Sequence, residues 1–210
     1  SLPLVLPDTL VSVDHSVLGY AMPRIMDNVN MELLLQNPNV KLATKIEYLK
    51  QIYAILEQLK KAQKGEIVPF YLGDIHEANY ILNIETQQIY GIDLDSAYFE
   101  GSLAPTSKFL SFNENLWDYP NKYPIDLRND RHFANENTTK LSFIYMLLNT
   151  LSLEKSYRWN FEEYYRYLDF LDKKQVDPNL LHSLASVYSQ EPQVHFEEAF
   201  LEKLDCEKNY

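Results

Sequence analysis

Apolar positions recur at steps of three and four from Lys41 to Lys64, at Leu42, Ile46, Leu49, Ile52, Tyr53, Leu56 and Leu59. That spacing keeps one helical face apolar and predicts a long amphipathic helix, with Gly65 as its stop. Lys60, Lys61 and Lys64 sit near its C-terminal end, where the carbonyl dipoles favour cations. Ahead of it, Leu4-Val5-Leu6, Leu10 to Val13 and Val17 to Met22 read as short extended pieces, parted by turn signals at Pro7-Asp8 and Asp14-His15. Behind it, Phe70-Tyr71-Leu72, Tyr80 to Ile84 and Gln88 to Ile92 carry the β-branched and aromatic character of strands, and Glu85-Thr86-Gln87 predicts the turn between the last two.

Residues 96 to 135 lose this periodicity and are rich in Asn, Pro, Asp and Tyr. A connection of that length inside a compact domain is normally functional. Helical patterns then return at Asn137 to Leu153, Phe161 to Asp172, Pro178 to Ser189 and His195 to Leu204. Few polar residues interrupt Leu141 to Leu151, which predicts a helix buried on most sides. The tyrosines between Tyr157 and Tyr167 read as a packing stripe. The pattern as a whole predicts an α+β fold, mainly helical, in which one small sheet carries the most polar and punctuated segment.

Composition changes this picture only at its edges. A chain of 210 residues suits one domain or one large lobe, and 46% hydrophobic with 23% charged residues is ordinary for a globular fold. Nineteen basic residues against 30 acidic ones give a net charge of -11, which repels nucleic-acid backbones and anionic lipid at long range. The expectation is therefore no nucleic acid and no membrane as partner. The single cysteine, Cys206, removes intrachain disulfides and cysteine-based zinc sites from consideration. The first residues lack the basic and apolar regions of a signal peptide, so a cytoplasmic protein is expected. The start at Ser1 rather than methionine suggests a piece of a longer protein.

The chemistry concentrates in Tyr71-Leu-Gly-Asp-Ile-His-Glu-Ala-Asn79 and in Ile89-Tyr-Gly-Ile-Asp-Leu-Asp95. Asp74, Asn79 and Asp93 lie in loops or strand ends flanking the expected hairpin. Folding that hairpin back brings the three toward one pocket, and carboxylate and amide oxygens are the ligands magnesium takes. The arrangement resembles the catalytic core of the protein-kinase-like family, in which an Asp precedes an Asn by five residues and a second Asp follows a hairpin. The helix before the loop, the irregular segment after Asp93 and the buried helix beyond it follow that family's C-terminal lobe in order.

The resemblance implies an ATP-dependent transfer of the γ-phosphate to a hydroxyl. Asp74 would accept the proton of the attacking hydroxyl, Asn79 would hold one magnesium, and Asp93 would bridge metal and the β- and γ-phosphates. Asp95 is a further candidate ligand. Residues 1 to 25 would be the last N-lobe strands and hinge, with Met22, Pro23, Arg24 and Ile25 meeting adenine, and residues 26 to 210 the C-lobe.

Leu72-Gly73 stands where protein kinases have His-Arg, and Asp93-Leu94-Asp95 where they have Asp-Phe-Gly. Gly73-Asp74-x-His76 is closer to the aminoglycoside and choline kinases, so the acceptor stays open between a protein and a small molecule. No glycine-rich loop, strand-three Lys or partner Glu is assignable, which leaves a pseudokinase-like interaction module as a further reading. His76 reads as a structural histidine in its loop. A two-metal phosphoesterase would need a Gly-Asn-His element, and none of His15, His132, His182 and His195 follows Gly-Asn.

Overall fold

The computed structural model describes residues 2–63, 70–72, 74–93, 97–99, 136–186, 195–208 and 210. Strand β1 (Thr9–Val13) and β2 (Ser16–Ala21) form an antiparallel hairpin. Its turn residues Asp14 and His15 take φ values of 48° and 65°, the pair of positive values that a tight two-residue hairpin turn needs. Neither face of this hairpin is buried: Leu10 is 71% and Leu18 67% exposed.

A second sheet has the order β3-β5-β6, all antiparallel, from Asn28–Asn30, Tyr80–Asn83 and Ile89–Gly91. The N-terminal segment joins its edge, since the Val5 N–H donates to the Gly91 carbonyl at 2.8 Å and the Gly91 N–H to that of Pro3 at 3.0 Å. A third, two-stranded sheet pairs β4 (Phe70–Leu72) with β7 (Ala97–Phe99). The pairing of Leu72 with Ala97 closes the two ends of the Asp74–Asp93 region against each other.

Helix α1 (Met31–Leu35) follows β3 directly and is capped by the Asn30 side chain, which accepts from the Glu32 N–H at 2.8 Å. Helix α2 (Leu42–Ala62) has 21 residues, about 30 Å of axis. Its buried Ile46, Leu49, Ile52, Tyr53, Leu56 and Leu59 are the expected apolar face, and it packs against α3 (Glu136–Ser152) and β6. Every residue of α3 from Leu141 to Thr150 is buried, so α3 is the centre of the core. A cluster of Tyr53, Phe143 and Phe196, with ring centroids 5.0 to 5.5 Å apart, joins α2, α3 and the C-terminal segment.

Helix α4 (Phe161–Lys173) opens with a capping box between Asn160 and Glu163, and α5 (Pro178–Ser186) opens under Asp177, which accepts from the Asn179 N–H at 2.9 Å. The Tyr164 hydroxyl donates to the Leu184 carbonyl at 2.7 Å and ties the two helices together. Tyr164 is fully buried, as a packing stripe requires.

The fold is thus α+β with small antiparallel sheets. Two expectations need correcting. The segment from His195 to Leu204 is not an α-helix but a 3-10 helix at Glu198–Lys203. Its start is held extended, because the buried Phe196 gives its carbonyl to the Tyr53 hydroxyl at 3.1 Å and Glu197 sits at φ -133°. The aperiodic stretch after residue 96 contains β7, and β3 with α1 fills a region the hydrophobic pattern left empty. Gly65, and residues 187–189 of the expected fourth helix, lie outside the described residues.

Candidate functional site

The segment from Asp74 to Asn79 is a loop closed by a 3-10 turn at Glu77–Asn79. The His76 side chain caps that turn, its Nδ1 accepting from the Ala78 N–H at 3.2 Å. With Nδ1 occupied as an acceptor, the ring proton lies on Nε2, which meets Asp74 Oδ2 at 3.3 Å. Burial works against the charged imidazole, but the Asp74 carboxylate, by hydrogen bond and charge, together with the charges of Glu77 and Glu32 outweighs it, so the His76 pKa is raised from 6.5. His76 therefore shapes the turn, the structural place in its loop that the sequence suggested, and it also holds Asp74.

Asn79 is buried, and its amide nitrogen donates to the Asp74 carbonyl at 2.8 Å. That bond spans the five-residue interval and fixes the two residues relative to each other. It also commits the amide nitrogen, leaving the side-chain oxygen to meet an outside group.

The hairpin supplies the third member. Tyr80 pairs with Gly91, and the Ile92 N–H donates to the Asn79 carbonyl at 2.9 Å. Asp93 therefore emerges one residue beyond a direct backbone bond to Asn79. It is exposed and takes φ 56°, a conformation that Asp tolerates better than most residues and that turns the chain sharply at this point. Asp74, Asn79 and Asp93 are thus brought to one end of the β5–β6 hairpin. Asp95, the fourth candidate, lies outside the described residues.

Asp74 carries the most informative atom. Its Oδ1 is buried with no hydrogen-bond partner among the described residues, although the side chain as a whole is 19% exposed. A buried carboxylate oxygen without a donor is costly to hold and marks a place for one. Among the described residues no group of three or more His, Cys, Asp or Glu is placed to hold a metal. An all-protein metal cage is not what these residues offer. An oxygen-only set of Asn79 and Asp93 suits a hard cation that keeps several waters, which is the chemistry magnesium takes.

Met22, Pro23, Arg24 and Ile25 form the segment between β2 and β3, the first three exposed and Ile25 half-buried. Just beyond them the Met26 carbonyl accepts from the Asn83 side chain at 3.1 Å and the Asp27 carbonyl from the Ile84 N–H at 2.8 Å. The segment thus runs to the Asn83 end of β5, three residues or about 10 Å of strand from the Tyr80 end where Asn79 sits. The four residues are not brought into the Asp74–Asn79–Asp93 group, but to the far end of the same strand.

Sequence reasoning missed the support beneath this loop. Glu77 is 3% exposed, and its carboxylate accepts from the Asn149 amide of α3 at 2.7 Å and from Gln36 at 3.3 Å. The Asn149 side-chain oxygen in turn accepts from the Ser156 N–H at 2.6 Å and its hydroxyl at 2.7 Å. Asn30, which caps α1, also donates to the Ala78 carbonyl at 2.8 Å. The turn is thereby held from α1 on one side and from the central helix on the other. The available signal was Asn149 within the apolar run Leu141 to Leu151, a polar residue where only a hydrogen-bonded one is tolerated.

No protein-family model and no curated protein matches this chain.

Proposed function

We propose that the chain carries the phosphate-binding and acceptor-activating half of an ATP-dependent phosphotransferase. The observation that carries this reading is the 2.9 Å bond from the Ile92 N–H to the Asn79 carbonyl, which sets Asp93 beside the Asp74–Asn79 turn. In support stands Asp74 Oδ1, buried without a hydrogen-bond partner among the described residues and an acceptor suited to the hydroxyl that would attack the γ-phosphate. Asn79 and Asp93 are the residues that would hold magnesium. A bound magnesium would offset charge on the β- and γ-phosphates as the phosphoryl group transfers.

In this reading the residues mainly position. His76 holds the Asp74 carboxylate, the Asn79 amide holds its backbone, and Oδ1 takes the proton of the acceptor hydroxyl. The segment Met22 to Ile25, which runs to the far end of β5, would receive its adenine. The acceptor is a hydroxyl of a protein or of a small molecule of the aminoglycoside or choline kind. The acidic chain is a poor match for nucleic acid, and among the described residues no helix is long and apolar enough to cross a membrane.

Calorimetric titration with ATP, with and without magnesium, is the test. The expected result is saturable binding that requires magnesium and is lost in Asp93→Ala. A folded chain that ignores magnesium and ATP alike would overturn the reading and leave the interaction-module alternative. Where turnover is measurable, Asp74→Asn is expected to lower it about a hundredfold or more, the usual worth of a positioned acid–base group.

A further inference from the structure

A cavity of about 560 Å³ opens where the start of α2 meets the end of the chain, and it shares no residue with the Asp74 site. That volume is in the range of small-molecule sites. Lys41, Lys45 and Lys208 line it, against a single acidic residue, Glu207, in a chain whose net charge is -11. A concentration of cations on so acidic a protein calls for a reason.

Two independent features point to an anion. The first is the N-terminus of α2. Its N-cap, Lys41, makes no side-chain capping bond, and the first turn holds no acidic residue. The amides of Leu42, Ala43 and Thr44 have no intrahelical acceptor at that end, and Lys41 and Ala43 line the cavity.

The second is Lys45, one turn further along the same face, its N–H bonded to the Lys41 carbonyl at 3.1 Å. Lys45 lines the cavity although the residue is only 4% exposed. Among the described residues no carboxylate or carbonyl accepts a hydrogen bond or ion pair from its ammonium, including the end of α3, which forms another wall. Burial lowers its pKa from 10.5. A lysine side chain with so little surface left to water and no partner among the described residues is short of a counter-charge, and an anion would supply one.

We infer that this cavity is a binding site for a phosphate group, held between the α2 N-terminus, Lys45 and Lys41. Lys208 closes the site with less charge to give, since its ammonium already donates to the Lys174 carbonyl at 2.7 Å and lies 3.7 Å from Asp205. Leu151, Leu153 and Tyr210 provide an apolar flank beside the cations, which suits a phosphate monoester carrying an organic body as well as free phosphate.

The experiment is an amide-resolved NMR titration of the chain with inorganic phosphate, phenyl phosphate and, as a control anion, acetate. Saturable shifts of the Ala43 and Thr44 amides are expected at phosphate concentrations of about 10 mM or below. Lys45→Met keeps the length and apolar stem of the side chain and is expected to weaken phosphate at least about tenfold. Lys41→Gln, at an exposed position, is expected to weaken it a few-fold and serves should the first variant not fold. Asp93→Ala is expected to leave phosphate binding unchanged, which separates this site from the proposed nucleotide site.

Phenyl phosphate binding more tightly than inorganic phosphate supports a monoester as the occupant, and equal binding supports free phosphate. Non-saturating shifts, shifts unaffected by both lysine substitutions, or acetate binding as well as phosphate would each overturn the assignment.

Discussion

Asp74 faces two ways at the scale of single atoms. Oδ2 is engaged by His76 at 3.3 Å, while Oδ1 is buried and without a partner among the described residues. This division is what a positioned base needs, one oxygen to fix the group and one to act. It also yields a test independent of any activity. Burial lowers the His76 pKa, and the Asp74 carboxylate supplies the largest influences that raise it, ahead of Glu77 and Glu32, so Asp74→Asn removes the main raising influence and leaves burial less opposed. NMR titration of His76 should therefore give a midpoint above 6.5 in the parent chain and a lower one in the variant. An unmoved midpoint would mean that the pair does not form in solution. The Asp74–Asn79 spacing was visible in the sequence, but the asymmetry between the two oxygens was not, because burial of one atom depends on residues far along the chain.

Among the elements, the 3-10 turn at Glu77–Asn79 depends on others for its shape. A three-residue turn has almost no stability of its own. Here it is fastened through Glu77 to α3 and Gln36, and through the Ala78 carbonyl to Asn30 at the start of α1. Glu77→Ala would strand the Asn149 amide in the core. A loss of about 1–3 kcal/mol is expected in denaturant unfolding. Glu77→Gln, which retains a carbonyl acceptor, should recover part of it. Equal stability of the alanine variant and the parent would show that Glu77 does not anchor the turn. Helices α2, α3 and α4 and strands β5 and β6 were legible because each carries its own periodicity over several residues. β3, α1 and β7 were not, because each is three to five residues long and is held by partners distant in sequence.

At the scale of the whole molecule, burial is uneven. Leu141 to Thr150 of α3 are buried without interruption, while both faces of the β1–β2 hairpin meet solvent. A lone two-stranded hairpin is at best marginally stable in water. Hydrogen exchange should therefore run at least about a hundredfold faster at the β1–β2 amides than at Phe143 to Leu148, whose exchange requires opening of the core. Equal protection would place the hairpin in the same cooperative unit as α3.

The α+β class, the long α2, the buried α3 and the spacing of Asp74, Asn79 and Asp93 are legible in the order of residues, since these follow from side-chain periods and short intervals along one chain. Spatial neighbours alone settled that β4 pairs with β7, that Glu77 is buried against Asn149, and that Lys45, without a side-chain partner among the described residues, lines a cavity with Lys41 and Lys208. The physical reason is common to all three. Pairing, desolvation and the absence of a counter-ion are properties of a residue's spatial neighbours, and those neighbours come from segments that no local pattern connects.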